Sequence, residues 1–78
     1  MLSVSDTIVI YSKDSCPFCE MAISLASSTD KEVTVLKLDV DYTVEDFQAK
    51  FPYAKSVPQI IVDEEHIGGY QDLLKNLV

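Results

Sequence analysis

Cys16 and Cys19, two residues apart and the whole cysteine complement of the chain, constrain this sequence more than any other feature. They stand where a strand pattern gives way to a helical one. Thr7 to Ser12 reads T-I-V-I-Y-S, rich in β-branched and aromatic side chains, which predicts a buried strand running into the polar turn Lys13-Asp14-Ser15. Pro17 is favoured at the first position of a helix, because it has no N–H to leave unpaired there. Met21, Ile23, Leu25 and Ala26 then provide a partly periodic apolar face, and Ala22 raises helix propensity. Cys16 is therefore expected at or beside the N-cap, where unpaired N–H groups and the positive end of the helix dipole face its sulfur. That setting favours thiolate, the reactive form. Cys19, one turn on, is close enough for a disulfide and less well placed to ionise.

Simpler roles for the pair compete with redox chemistry. A structural disulfide closing so short a loop would contribute only about 2 kcal/mol by loop entropy, and a staple would more usefully join distant segments. A structural zinc site normally needs four ligands, and His66 is the only histidine to add to two cysteines. Two inert, buried cysteines in a helix are the remaining alternative.

The 78 residues suit one domain spanning 1–78, and an apolar content of 47% is enough for a core without further staples. No stretch approaches the ~20 apolar residues of a membrane span. No basic residue precedes Lys13, so a signal-peptide n-region is missing and a cytoplasmic location is expected; there a C-x-x-C is more often catalytic or metal-binding than a permanent crosslink. Thirteen acids against six lysines give a net charge of −7, which argues against nucleic-acid binding, since phosphate contacts need a basic surface.

Ser27 to Lys31 is a polar break. Val33, Val35, Leu36, Leu38 and Val40 then predict a second strand, nearly continuous in apolar character and so expected to be covered on both faces. Two strands joined through a helix predict a parallel β-α-β unit. Thr43-Val44-Glu45-Asp46 resembles a capping box with Asp in place of Glu. It opens a second helix expected to bury Val44, Phe47 and Phe51 and to end or bend at Pro52. Tyr53 is read, with Phe47 and Phe51, as core and helix-end packing. Gln59 to Val62 predicts a third strand, Asp63-Glu64 a turn, and Glu65-His66-Ile67 a fourth strand antiparallel to it. After Gly68-Gly69, apolar Leu73, Leu74 and Leu77 predict a last short helix over Tyr70 to Leu77. The order β-α-β-α-β-β-α predicts an α/β fold with a four-stranded mixed sheet flanked by helices on both faces. Cys16 would then stand at the sheet's C-terminal edge, the usual place for sites in such folds.

Three blocks, Y-S-K-D-S-C-P-F-C at Tyr11 to Cys19, S-V-P-Q-I at Ser56 to Ile60 and H-I-G-G-Y-Q-D-L at His66 to Leu73, make the chain resemble a glutaredoxin, a minimal thioredoxin-like fold. The second and third blocks look most like the small dithiol glutaredoxins of bacteria and their phages. The resemblance covers nearly the whole chain. It implies a monomeric, metal-free thiol–disulfide oxidoreductase with no permanently bound cofactor. Its co-substrate would be glutathione, and its partners disulfide-containing proteins, among them ribonucleotide reductase. By resemblance Cys16 is the nucleophile and Cys19 the resolving thiol. Phe18 supplies the aromatic wall where the family often has Tyr. Lys13 pairs with a glutathione carboxylate, and Val57, before a cis Pro58, pairs through its backbone with the glutathione cysteine. Gly69, Gln71 and Asp72 receive the γ-glutamyl end. Many relatives carry Gln, Lys or Arg on the second helix as a further carboxylate partner. The matching position here is Val44 or Glu45, which leaves Gln48 or Lys55 to take over.

Each assignment has an ordinary counterpart: Lys13 a solvated turn lysine, Gly68 and Gly69 a turn with positive φ, Asp72 a helix-start acid, Tyr70 a core aromatic, His66 a strand residue without catalytic work. Two functional rivals remain. A redoxin fed by thioredoxin reductase shares the C-x-x-C but differs before the last helix. An iron–sulfur carrier would bridge a cluster through Cys16 and glutathione, and Pro17 counts against it because such relatives usually lack a proline after the nucleophile.

Overall fold

The computed structural model describes residues 7–77. The expectation of one domain over 1–78 therefore extends to residues 1–6 and 78, which lie outside the described residues. The β-branched run forms β1 (Thr7–Ser12), and it is followed by α1 (Pro17–Ser27), β2 (Glu32–Lys37), α2 (Val44–Lys50), β3 (Gln59–Val62), β4 (Glu65–Gly68) and α3 (Tyr70–Leu77). The sheet order is β2-β1-β3-β4. β1 runs parallel to β2, from Thr7 opposite Glu32 to Ser12 opposite Lys37, and antiparallel to β3, with Ile10 opposite Ile60. The expected fold class and element order are those observed.

Strand alternation divides the core in two. Ile8, Ile10, Ile60 and Val62 point to the face covered by α1 and α3, where Ala22, Ala26 and Leu73 complete a buried cluster. Tyr11 and Ile61 point the other way and pack on Tyr42, Phe47 and Phe51, with α2 above them. Edge-to-face contacts at 5.0 Å set Tyr11 against both Tyr42 and Phe51. α2 opens with the capping box read from the sequence: Thr43 Oγ1 accepts the Asp46 N–H at 3.1 Å, and Asp46 Oδ2 accepts the Thr43 N–H at 3.1 Å. The Asp63-Glu64 turn has positive φ at both residues, 51° and 71°, the handedness that matches a tight β3–β4 hairpin.

Several expectations need correction. The second strand stops at Lys37 and is only partly covered: Val33 and Leu36 are half-buried against the two opposite clusters, Val35 is exposed, and among the described residues β2 pairs only with β1. Asp39 takes φ 66° and turns the chain away, donating its N–H to the Tyr42 carbonyl at 2.7 Å, which leaves Val40 73% exposed. On α1 the buried stripe is Cys19, Ala22 and Ala26, while Met21 faces out. Phe47 and Phe51 are buried as expected, but Val44, at the first helical position after the Thr43 cap, is exposed, as is Leu74 on the outer side of α3. Tyr53, just past Pro52, is 94% exposed and packs on nothing in the core.

The two leucines of α3 offer a direct test. Leu73 is fully buried between α3 and the sheet, so Leu73→Ala should cost about 2–5 kcal/mol, whereas Leu74→Ala should stay within about 0.5 kcal/mol. Urea unfolding of the oxidised protein measures both; equal losses would contradict the observed face of α3.

Candidate functional site

α1 is capped by a sulfur. Cys16 has the extended backbone of an N-cap residue (φ −123°, ψ 98°), and its Sγ accepts the Cys19 N–H at 3.2 Å. Pro17 occupies the first helical position, as its missing N–H predicts. The two cysteines are joined in a disulfide with Cα atoms 5.2 Å apart. They are 6% and 1% exposed respectively. In the dithiol state the N–H directed at Cys16 would stabilise a thiolate there. Cys19 lies inside the helix, where among the described residues its sulfur receives no such donor.

The segment facing the disulfide is the loop before β3. The Val57–Pro58 peptide is cis, as expected, and the Val57 carbonyl oxygen lies 3.9 Å from Cys16 Sγ. Joined sulfur carries no proton, so this is a van der Waals approach; a Cys16 thiol could donate across it. Val57 also packs against the aromatic cluster under α2, so the loop rests on a rigid support.

Six of the residues singled out for glutathione, Phe18, Val57, Pro58, Gly69, Gln71 and Asp72, line one cavity of about 320 Å³. Phe18 forms an open wall, 54% exposed, with its ring 6.2 Å from that of Tyr70. Asp72 Oδ2 accepts the Gly69 N–H at 3.0 Å and so also serves the start of α3. Gly68, at φ +118°, is required here, because a Cβ would run into the Asp72 carboxylate.

Lys13 stands apart from these six. It lines an adjoining cavity of about 220 Å³ together with Val44, Gln48 and Lys55, and the two cavities share Ser56 and Val57 as a ridge. The residues suggested as substitutes for the missing second-helix partner are thus brought beside Lys13. Ser56, Gln59 and Tyr70 line these cavities without having been assigned a site role. For Ser56 the signal was its place directly before Val57-Pro58; for Tyr70 it was a position beside Gly69 that reads equally as core.

Behind the site, Tyr42 donates its hydroxyl to the Ser12 carbonyl at 2.6 Å, and Ser12 Oγ donates to the Leu36 carbonyl at 3.1 Å. Burial, then the neighbouring Tyr11 and Asp39, push the Tyr42 phenol up from its ordinary value, so it remains a donor. Burial and Asp46 act likewise on Tyr11. Asp14, in the turn before Cys16, is 2.7 Å from Lys37 at the end of β2, and its hydrogen bond and charge raise the lysine. Among the described residues no three His, Cys, Asp or Glu side chains are grouped to hold a metal, and no helix is long and apolar enough to cross a membrane.

A cysteine pair that caps a helix at the C-terminal edge of a mixed sheet, opposite a cis-proline loop, defines the thiol–disulfide oxidoreductases with a thioredoxin-like fold. Known proteins narrow this further. The family model described as Glutaredoxin matches residues 8–67. Glutaredoxin 3 of Escherichia coli K12 is 36% identical over 66 residues, covering 85% of this chain and 80% of that protein. The solution structure of reduced Escherichia coli glutaredoxin superposes with a TM-score of 0.69 at 32% identity, covering 91% and 92% of the two chains. A buckwheat glutaredoxin–glutathione complex shares the fold, with a TM-score of 0.76 at 20% identity over 96% of this chain and 70% of that one. The chain belongs to the glutaredoxin family, whose members are thiol–disulfide oxidoreductases with a redox-active cysteine pair.

Tyr42→Phe tests the support under the site. The Ser12 carbonyl also accepts the Leu38 N–H at 2.9 Å, so it is not orphaned by the substitution. The loss should be about 0.5–1.5 kcal/mol, not the larger penalty of an unpaired buried acceptor. A shift in the urea midpoint without a change in slope is expected; no shift would mean the hydroxyl contributes nothing.

Proposed function

We infer that the chain is a glutathione-dependent glutaredoxin that reduces protein disulfides and glutathione mixed disulfides. Cys16 acts as nucleophile and Cys19 as resolving thiol. The observation that carries this reading is the pair of adjoining cavities that meet at Val57, whose carbonyl oxygen lies 3.9 Å from Cys16 Sγ. One offers an aromatic wall, the Val57 backbone and Asp72 for an amine. The other offers Lys13, Gln48 and Lys55 for a carboxylate. Glutathione is a tripeptide with two carboxylates and one amine, and a chain of net charge −7 must supply local positive charge to hold it.

The chemistry follows from the helix cap. Cys16 thiolate attacks one sulfur of the substrate disulfide, breaking its S–S bond and expelling the other sulfur as thiolate. Cys19, deprotonated as it attacks, then displaces the substrate from Cys16 and closes the Cys16–Cys19 disulfide. One glutathione thiolate opens that bond at Cys16, returning Cys19 to its thiol. A second removes the first as glutathione disulfide and restores the dithiol. Glutaredoxin potentials of roughly −200 to −230 mV lie close to the extracted glutathione poise, so the cycle runs in either direction. A reducing compartment such as the cytoplasm suits it. The groups proposed to bind glutathione all lie on one chain, and the reading takes the protein as a monomer. Ribonucleotide reductase, whose turnover leaves a disulfide, is the protein substrate to which the family resemblance points.

Cys16→Ser should abolish all disulfide reduction. Cys19→Ser should keep reduction of glutathione mixed disulfides, which needs one thiol, and lose the dithiol route to protein disulfides. The assay couples glutathione, its reductase and NADPH to each substrate. Equal loss in two folded variants would refute the division of roles, and activity supported only by thioredoxin reductase would refute glutathione as reductant.

Recognition is tested separately. Lys13→Glu reverses a charge, while Asp72→Asn removes one and retains an oxygen for the Gly69 N–H. Each should lower glutathione-dependent efficiency about three- to tenfold, more at low salt than at high. Attack on a small uncharged disulfide should change much less. Equal slowing of both substrates would show that these residues do not read glutathione.

A further inference from the structure

The loop that faces Cys16 is held by a side chain from β3 that the reaction itself does not use. Gln59 Nε2 donates to the Ser56 carbonyl at 2.8 Å across the Val57–Pro58 turn, and Gln59 also lines the cavity that holds Phe18 and Asp72. The other end of the same amide lies 2.7 Å from Nε2 of His66 on β4. His66 in turn rests its ring 4.5 Å from that of Phe51, which is buried in the cluster under α2.

Chemistry orients this chain of contacts. A carbonyl only accepts, so the group facing Ser56 must be the Gln59 NH₂, which leaves Oε1 toward His66. The His66 nitrogen must then carry a proton, which fixes the neutral imidazole as its Nε2–H tautomer. The Ser56–Val57 peptide is planar and trans, so its C=O and N–H point in opposite directions. Tying the Ser56 carbonyl back to Gln59 therefore turns the Val57 N–H away from Gln59. Among the described residues that N–H has no hydrogen-bond partner.

We propose that Gln59, oriented by His66, is a positioning residue that sets the Ser56–Val57 peptide and so presents the Val57 backbone to the substrate beside Cys16. The role rests on the proposed pairing of Val57 with a substrate backbone and adds to it the side chains that aim the peptide. Gln59 does not touch Cys16, so its effect should fall on binding and not on sulfur reactivity.

The test compares Gln59→Glu, Gln59→Leu and His66→Phe. The Glu variant keeps an acceptor for His66 but has no donor for Ser56; the Leu variant loses both contacts; the Phe variant keeps an aromatic ring beside Phe51 and loses the donor to Gln59. KM is measured for a glutathione mixed disulfide and for a peptide disulfide containing no glutathione, since both would use Val57. Both Gln59 variants should raise KM about three- to tenfold, and His66→Phe about two- to threefold. Alkylation of Cys16 by iodoacetamide in the reduced protein should stay within about twofold of the starting rate. Ring ¹⁵N shifts of His66 should report the Nε2–H tautomer in the parent protein and move in Gln59→Leu. Should the parent saturate only with the peptide disulfide, glutathione recognition fails and the positioning role is judged on that substrate. An unchanged KM in Gln59→Glu, or a fall in alkylation matching the rise in KM, would overturn the proposal.

Discussion

The structure depends on a helix cap made by sulfur. In most helices the N-cap oxygen of Ser, Thr, Asp or Asn satisfies an N–H of the first turn; here Cys16 Sγ takes the Cys19 N–H. The contact that finishes α1 is therefore the one that would activate Cys16 in its proposed role as nucleophile, so one atom would serve both folding and reactivity. Pro17 strengthens the arrangement by starting the helix without a surplus donor. Cys19, a turn further on, is brought within bonding distance of Cys16 by helix geometry alone.

The remaining elements place the groups proposed to bind glutathione around that cap. Strand alternation sends Ile8 and Ile10 to one face and Tyr11 to the other, so α1 and α3 share one cluster while α2 covers a second. The cavities follow this division. The one with Phe18 and Asp72 opens between the ends of α1 and α3, and the one with Lys13, Gln48 and Lys55 lies over the aromatic cluster. Ser56 and Val57 form the ridge between them. A small number of short contacts stiffen the ridge and its surroundings: Tyr42 on Ser12, Gln59 on Ser56, Asp72 on Gly69.

Local signals in the sequence were read correctly wherever the chain's neighbours in sequence decide the outcome. The cap at Cys16, the Thr43–Asp46 box and the β1 boundaries all belong to that group. Where long-range placement decides, periodicity misled. The apolar run from Val33 to Val40 does not reveal how much of each face the helices reach, and the turn at Asp39 ends it early. Met21, Val44, Leu74 and Tyr53 are apolar or aromatic side chains on short helices or beyond them, where a sheet this narrow offers no surface to cover them. Lys13 was grouped with the glutathione residues, but it lines the cavity on the other side of Ser56 and Val57, a long-range placement its sequence position does not show. The partnership of Gln59 and His66 forms across the β3–β4 hairpin, where strand pairing decides which side chains meet.

The outer edge of β2, which has no strand partner among the described residues, bears on how the protein behaves at high concentration. An unpaired strand edge is a template for pairing with another chain, and charged residues along it are the usual protection. Glu32 and Lys37 stand at its two ends, but Val33, Thr34, Val35 and Leu36 between them are uncharged and suited to strands. The long-range deterrent is the surplus of carboxylates over the whole surface. Acid that neutralises those carboxylates removes the mutual repulsion while leaving the edge intact. Solubility and storage of this protein are thus tied to pH through a strand remote in function from the cysteine pair.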